Sequence, residues 1–138
     1  MALKMLGDYP AYNDYYHFTL STKFRKKMFE KEQMRNRLYH IIAEIINTHE
    51  RMELVDCTVA YDHVHVLLKS DMSPSDISQV LSGVSSRLLR KEFPELVRIS
   101  PKALWGGKSC LPIKDQSHLN NCISYIHKHQ PDNTKIDE

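Results

Sequence analysis

Nowhere in the 138 residues does an apolar run approach the roughly 20 residues that a bilayer crossing needs, so no membrane partner is expected. Cysteine is scarce. Three residues, an odd number without Cys-x-x-Cys spacing, provide neither a disulfide framework nor a zinc ribbon, and reduced packing thiols in a cytosolic protein are expected. There is no internal repeat, low-complexity tract or Gly/Ser linker, which points to one domain over residues 1–138. The opening, Met1 to Asp8, has no secretory apolar region and no cleavage site, and a cytoplasmic location is the expectation. Excess charge is missing too. A net charge of +2 and a pI near 8.4 are too mild to announce a nucleic-acid partner.

What is there is an ordinary core composition, 41% hydrophobic and 26% charged, which excludes disorder and collagen-like repeats. The positive charge is unevenly placed. Lys23, Arg25, Lys26 and Lys27 cluster around Phe24, Arg87, Arg90 and Lys91 gather later, and Lys102, Lys108 and Lys114 follow, while Asp132 to Glu138 lean acidic. Such runs are either solvated faces or a footprint for a phosphate backbone, and charge alone does not choose between them.

Residues 1–14 read as a lead-in containing Gly7, Pro10 and Asn13. Tyr16, Phe18 and Leu20 then alternate with His17, Thr19 and Ser21, the pattern of a half-buried strand. From Glu30 to about Glu50, Met34, Leu38, Ile41, Ile42, Ile45 and Ile46 recur at helical spacing, with Arg35, Arg37, Glu44 and Asn47 between them. Leu54–Ala60 and His63–Lys69 read as an antiparallel hairpin linked tightly at Tyr61 and Asp62. Ser73-Pro74-Ser75-Asp76 starts a helix with Ser73 as N-cap, Ile77, Val80, Leu81, Val84 and Leu88 as its buried stripe, and Pro94 as its stop. Pro101 to Pro112 reads as loop around Gly106 and Gly107, with a short edge strand near Cys110–Ile113. Asp115 or Ser117 caps a last helix whose apolar face is Leu119, Cys122, Ile123 and Ile126, ending at Pro131. This order predicts an α+β fold of the ferredoxin-like or RRM-like kind, an antiparallel sheet with helices on one face and the other face open for a site.

The segment Tyr61 to Leu68 carries most of the chemistry. Side chains alternate along a strand, so His63 and His65 share a face while Val64, Val66 and Leu68 face the core. Two imidazoles about 7 Å apart along a strand can converge on one metal ion, although a bare His-x-His is more often a pair of solvated polar residues. The last helix adds to the pattern. At helical spacing His118, Cys122, Tyr125 and His129 fall within a stripe about 60° wide, with Tyr125 and His129 four residues apart. A phenol beside a cation is favoured as phenolate, and the cation polarises a phosphate oxygen. Attack on a phosphodiester would then expel a 3′-hydroxyl and leave a covalent phosphotyrosine, which the 3′-hydroxyl of another strand can reverse.

The ordered set Asp62-His63-Val64-His65-Val66-Leu67-Leu68, followed by Tyr125-Ile126 in a terminal helix, resembles the single-tyrosine HUH transposases of small bacterial and archaeal insertion sequences, the 200/605 group. Tyr16 to Lys23 is similar to that family's first strand, and Leu104-Trp105-Gly106-Gly107 to its Leu-Trp segment. The resemblance implies a ferredoxin-like sheet with the HUH site on its open face and a divalent metal, Mg²⁺ or Mn²⁺. It also implies single-stranded DNA with hairpins as substrate, cleavage next to those hairpins through a 5′-phosphotyrosine, and a homodimer whose sites are often completed in trans. Carried over, Tyr125 is the nucleophile and His63 and His65 hold the metal. The family's usual third ligand, a Gln four residues after the tyrosine, is replaced by His129, with Gln130 one further on as the alternative. Three imidazoles would suit Mn²⁺ or Zn²⁺ better than Mg²⁺. Asp62 is a candidate partner for a ligating histidine, or a turn residue. Lys23, Arg25, Lys26, Lys27, Arg87, Arg90 and Lys91 are candidate contacts to hairpin phosphates, and Tyr12, Tyr15 and Trp105 are stacking platforms or packing residues. Two other readings stand beside the transposase: a non-catalytic or domesticated hairpin-DNA binder acting on repeat sequences, and a small-molecule hydrolase that uses only the His pair.

Overall fold

Alternation decides the first strand. The computed structural model of the chain describes residues 14–128, and in β1 (Tyr15–Thr22) Phe18, Leu20 and Thr22 are buried on one face while His17, Thr19 and Ser21 lie on the other. β1 is followed by a 3-10 turn at Lys23–Arg25 and then by α1 (Glu32–Thr48). Met34, Leu38, Ile41, Ile42 and Ile46 are the buried face of that helix.

Arg35 is also buried, contrary to its expected place on the polar side. Its Nη1 donates to the carbonyls of Phe29 and Glu30 at 2.8 and 2.7 Å, and its guanidinium lies 4.9 Å from the centre of the Tyr61 ring. The chain bends before α1, and those carbonyls need a donor that no strand or helix supplies.

β2 (Met52–Val59) and β3 (His63–Ser70) form the expected hairpin, with Thr58 opposite His65 and a register shift between Leu54 and Asp56. α2 (Pro74–Glu92) begins as anticipated, Ser73 Oγ accepting from the Asp76 N–H at 3.1 Å. Its buried line is rotated from expectation and runs through Ile77, Leu81, Ser85 and Leu89, leaving Val80, Val84 and Leu88 half-buried. The reason is Trp105, whose Nε1 donates to Ser85 Oγ at 3.1 Å and draws that hydroxyl inward. Past Pro94 the chain makes a short helix, α3 (Glu95–Ile99), which the proline itself starts.

The expected loop at Pro101–Pro112 is instead largely strand. β4 (Trp105–Pro112) pairs antiparallel with β1 from Trp105 to Pro112, and Pro112 is tolerated because β4 lies at the sheet edge. Gly106 and Gly107 carry no side chain to alternate, which hid the strand from periodicity. α4 (Gln116–Lys128) follows, capped by Asp115 rather than Ser117, with Asp115 Oδ1 accepting from the His118 N–H at 2.8 Å.

The sheet order is β2-β3-β1-β4 with every neighbour antiparallel, the ferredoxin-like arrangement. The main core gathers α1 and α2 against Phe18, Leu20, Val64, Val66 and Leu68. A second, smaller core of Leu67, Ile113, Cys122 and Ile126 seats α4 on the opposite face. Helices on one face thus describes α1 and α2, while α4 crosses the face left for the site. No described helix is long and apolar enough to cross a membrane.

The end of β1 is tightly constrained. A register shift falls between Ser21 and Thr22, and Phe24 and Arg25 adopt left-handed backbone with φ of 59° and 53°. Thr22 Oγ1 donates to the Lys26 carbonyl at 2.7 Å across this turn. Gly106 lies against it so closely that a Cβ there would meet Lys23 Cα at 2.8 Å. Gly106→Ala is therefore expected to lower unfolding stability by about 1–3 kcal/mol in urea titration. Gly107→Ala, whose Cβ would sit 3.8 Å from Ser21 Cβ, should stay within about 0.5 kcal/mol.

Candidate active site

The register of β1 on β3 sets Thr19 opposite His65, Ser21 opposite His63 and His17 opposite Leu67. All six side chains belong to the face away from the main core. His63 and His65 stand together, ring centroids 4.9 Å apart and planes at 83°.

Each ring is held through Nδ1, by different means. His63 Nδ1 is 2.7 Å from Asp62 Oδ1, and Asp62 Oδ2 receives Arg25 Nη2 at 3.3 Å. Burial pushes the Asp62 carboxyl up, but the hydrogen bonds from His63 and Arg25 and the charge of Arg25 outweigh it, so it sits below the usual carboxylate range. Asp62 fills both roles open to it, standing in the β2–β3 link and hydrogen-bonded through its side chain to His63. His65 Nδ1 is 3.0 Å from His17 Nε2 and 3.4 Å from Thr19 Oγ1. Burial, and more weakly the neighbouring His118, lowers the His17 pKa below its ordinary value, which leaves that ring neutral at pH 7.

α4 brings the phenol. The Tyr125 ring meets the His65 ring edge-on at 5.0 Å and 89°, and the His17 ring at 6.4 Å and 66°. Tyr125 remains 42% exposed, so a ligand can reach it. The helix is seated by Ile126 and Cys122 and by His127 Nε2, 2.9 Å from Asp56 Oδ2 on β2. Cys122 Sγ lies 3.8 Å from His17 Nδ1, and burial pushes its thiol pKa up, so it stays protonated.

The structure thus brings together His63, His65 and Tyr125 within one chain, with Cys122 from the same helical stripe, and adds His17 and Thr19, which the motif did not assign to the site. His17 had a signal, being on the outward parity of β1. His118 does not join: its Nδ1 accepts from the Lys114 N–H at 3.0 Å. His129, Gln130 and Tyr12 lie outside the described residues. Among the described residues no group of three or more His, Cys, Asp or Glu is placed to hold a metal ion.

The basic candidates divide. Arg25 is engaged with Asp62, Lys26 Nζ donates to the Ile99 carbonyl at 2.9 Å, and an Arg90 Nη2 donates to the carbonyls of Ser100 and Pro101. Lys27, Arg87 and Lys91 are exposed. Arg87 and Arg90 line a groove of about 540 Å³ between α2 and β4, together with Ser86, Trp105 and Lys108. Lys23 and Arg25 line a smaller hollow of about 270 Å³, which shares Gly106 and Gly107 with that groove. Trp105 packs against the main core and edge-on to Phe29 while also lining that groove, and Tyr15 packs against the α4 core.

The model of the family described as Transposase IS200 like matches residues 10–129. The chain belongs to this family. A candidate transposase from Deinococcus radiodurans R1 shares its fold at a TM-score of 0.66 with 26% identity, over 84% of this chain and 90% of that one. A REP-associated tyrosine transposase, solved bound to a REP hairpin, aligns at a TM-score of 0.57 with 18% identity, over 83% of this chain and 65% of that one, a likeness of fold alone. No curated protein matches the chain.

The placement of the phenol in this IS200-like transposase depends on the small core beneath α4. Ile126 is fully buried there. Ile126→Ala is expected to weaken helix docking by about 2–5 kcal/mol. Amide hydrogen exchange should accelerate across Gln116–Lys128 while β1 and β3 keep their protection; uniform acceleration of all elements would contradict an independent α4 core.

Proposed function

We propose that this IS200-like transposase cleaves and rejoins single-stranded DNA beside hairpins, with Tyr125 as nucleophile and a 5′-phosphotyrosine as intermediate. The observation that carries the reading is the Tyr125 ring set edge-on against His65 at 5.0 Å, on the face opposite the main core. Hairpin DNA as partner is supported by the REP hairpin held by the tyrosine transposase of similar fold.

The donor set fits two ligands of a divalent cation. With Nδ1 hydrogen-bonded in both rings, Nε2 of His63 and Nε2 of His65 would hold Mg²⁺ or Mn²⁺, and the third ligand would come from His129 or Gln130. Bound there, the cation would polarise a phosphate oxygen and favour the phenolate. The remaining chemistry belongs to the chain and the DNA. Tyr125 Oη gives its proton to solvent as it bonds to phosphorus, the P–O3′ bond breaks, and the departing 3′ oxygen takes up a proton. The phosphate stays joined to the 5′ carbon of the downstream strand. Because the phosphotyrosine keeps the ester, the 3′-hydroxyl of another strand can attack it, releasing Tyr125 and joining DNA.

The DNA would follow the groove between α2 and β4, its phosphates meeting Arg87, Arg90 and Lys108, and continue past Gly106 and Gly107 to Lys23 and Arg25. Arg25 and Arg90 line this path while bracing Asp62 and the Ser100–Pro101 backbone.

Incubating the protein with end-labelled single-stranded hairpin DNA and Mn²⁺ or Mg²⁺, then separating the products under denaturing conditions, tests the reading. The wild type should give a shifted protein–DNA adduct, and Tyr125→Phe should bind the DNA without forming it. An adduct that persists in Tyr125→Phe overturns the assignment, and binding without adduct across several divalent ions marks a non-catalytic hairpin binder. Asp62→Ala should weaken Mn²⁺ binding by about 10–100-fold in calorimetry.

A further inference from the structure

We infer that His17 is a positioning residue: it sets which nitrogen of His65 carries the proton, and so turns the Nε2 lone pair of His65 outward for a ligand. The inference rests on the proposed reading only in taking that ligand to be a metal ion.

A ligating Nε2 on His65 dictates the proton positions behind it. An imidazole presents an Nε2 lone pair only when its proton is on Nδ1. His65 Nδ1 then needs an acceptor, and the nearest is His17 Nε2 at 3.0 Å, with Thr19 Oγ1 further off at 3.4 Å. To accept there, His17 must carry its own proton on Nδ1, the nitrogen that faces Cys122 Sγ at 3.8 Å. The His17 and His65 proton positions are thereby linked, with Cys122 Sγ as the acceptor facing His17 Nδ1.

The two halves of the His-x-His pair are therefore supported differently. His63 leans on a carboxylate that Arg25 neutralises, whereas His65 leans on an uncharged ring from β1. The thiol that faces His17 Nδ1, and can accept from it, sits on α4 three residues before Tyr125. Seating α4 thus brings the phenol to His65 and the thiol to His17 together.

Two-bond proton–nitrogen correlation spectra of the metal-free, ¹⁵N-labelled protein read the tautomer of His65 directly, and Mn²⁺ calorimetry reads its consequence. In the wild type His65 is expected as the Nδ1–H form. His17→Leu, which removes the acceptor, should move His65 toward Nε2–H, and His17→Gln, whose amide oxygen can accept, should restore Nδ1–H. Mn²⁺ affinity should fall at least about tenfold in His17→Leu and stay within about threefold in His17→Gln, with urea midpoints confirming that both variants fold. His65 found as Nε2–H in the wild type, no change in His17→Leu, or His17→Gln behaving as His17→Leu would each overturn the inference. A wild type that binds no Mn²⁺ while its tautomers shift as described would refute the metal site and leave the role of His17 standing.

Discussion

The register of β1 against β3 is the constraint on which the site depends. Side chains alternate with a period of two, so slipping β1 by one residue would face Thr19 and His17 into the main core and turn Phe18 and Leu20 out. The register is held from several directions. Phe18 and Leu20 are fully buried under α1 and α2, β2 and β3 are joined by a short turn, and the shift at Ser21 and Thr22 ends the regular pairing with β4. Only with Thr19 opposite His65 do His17, His63 and His65 meet on one surface.

That surface is covered by a helix with its own small core, and the division between the two cores has a chemical consequence. Leu67, Ile113, Cys122 and Ile126 seat α4 without sharing side chains with the main core, so Tyr125, the proposed nucleophile, rides on an element that can loosen without unfolding the sheet. Asp62, the carboxylate hydrogen-bonded to His63, is matched by Arg25, which offsets its negative charge beside the His pair. Basic residues gather on the α2–β4 side, where the glycine-lined edge gives a backbone room to pass.

Much of this fold was legible because its signals are local. Ser73-Pro74 announces α2, the alternation from Tyr16 to Ser21 announces β1, and the His-x-His spacing places both rings on one face. What periodicity missed has specific causes. β4 is disguised by Gly106 and Gly107, and the burial of Arg35 and Ser85 answers polar groups elsewhere in the chain, the Phe29 carbonyl and the Trp105 indole. His17 looks like any polar residue on an outward strand face until β1 is laid beside β3. The docking of α4 did have a trace: Leu67 is an apolar residue on the histidine face of β3, and it is fully buried only because a helix covers it.

The central claim is that the two imidazoles of β3 and the phenol of α4 surround one cation position. Adding Mn²⁺ in small increments to protein labelled at histidine and tyrosine rings tests this most directly, since a paramagnetic ion broadens signals from nearby nuclei first. His63, His65 and Tyr125 should broaden together at the lowest Mn²⁺ concentration, ahead of His40 and Tyr39 on α1. Broadening of the histidines with a sharp Tyr125 signal, or of neither, would contradict the account.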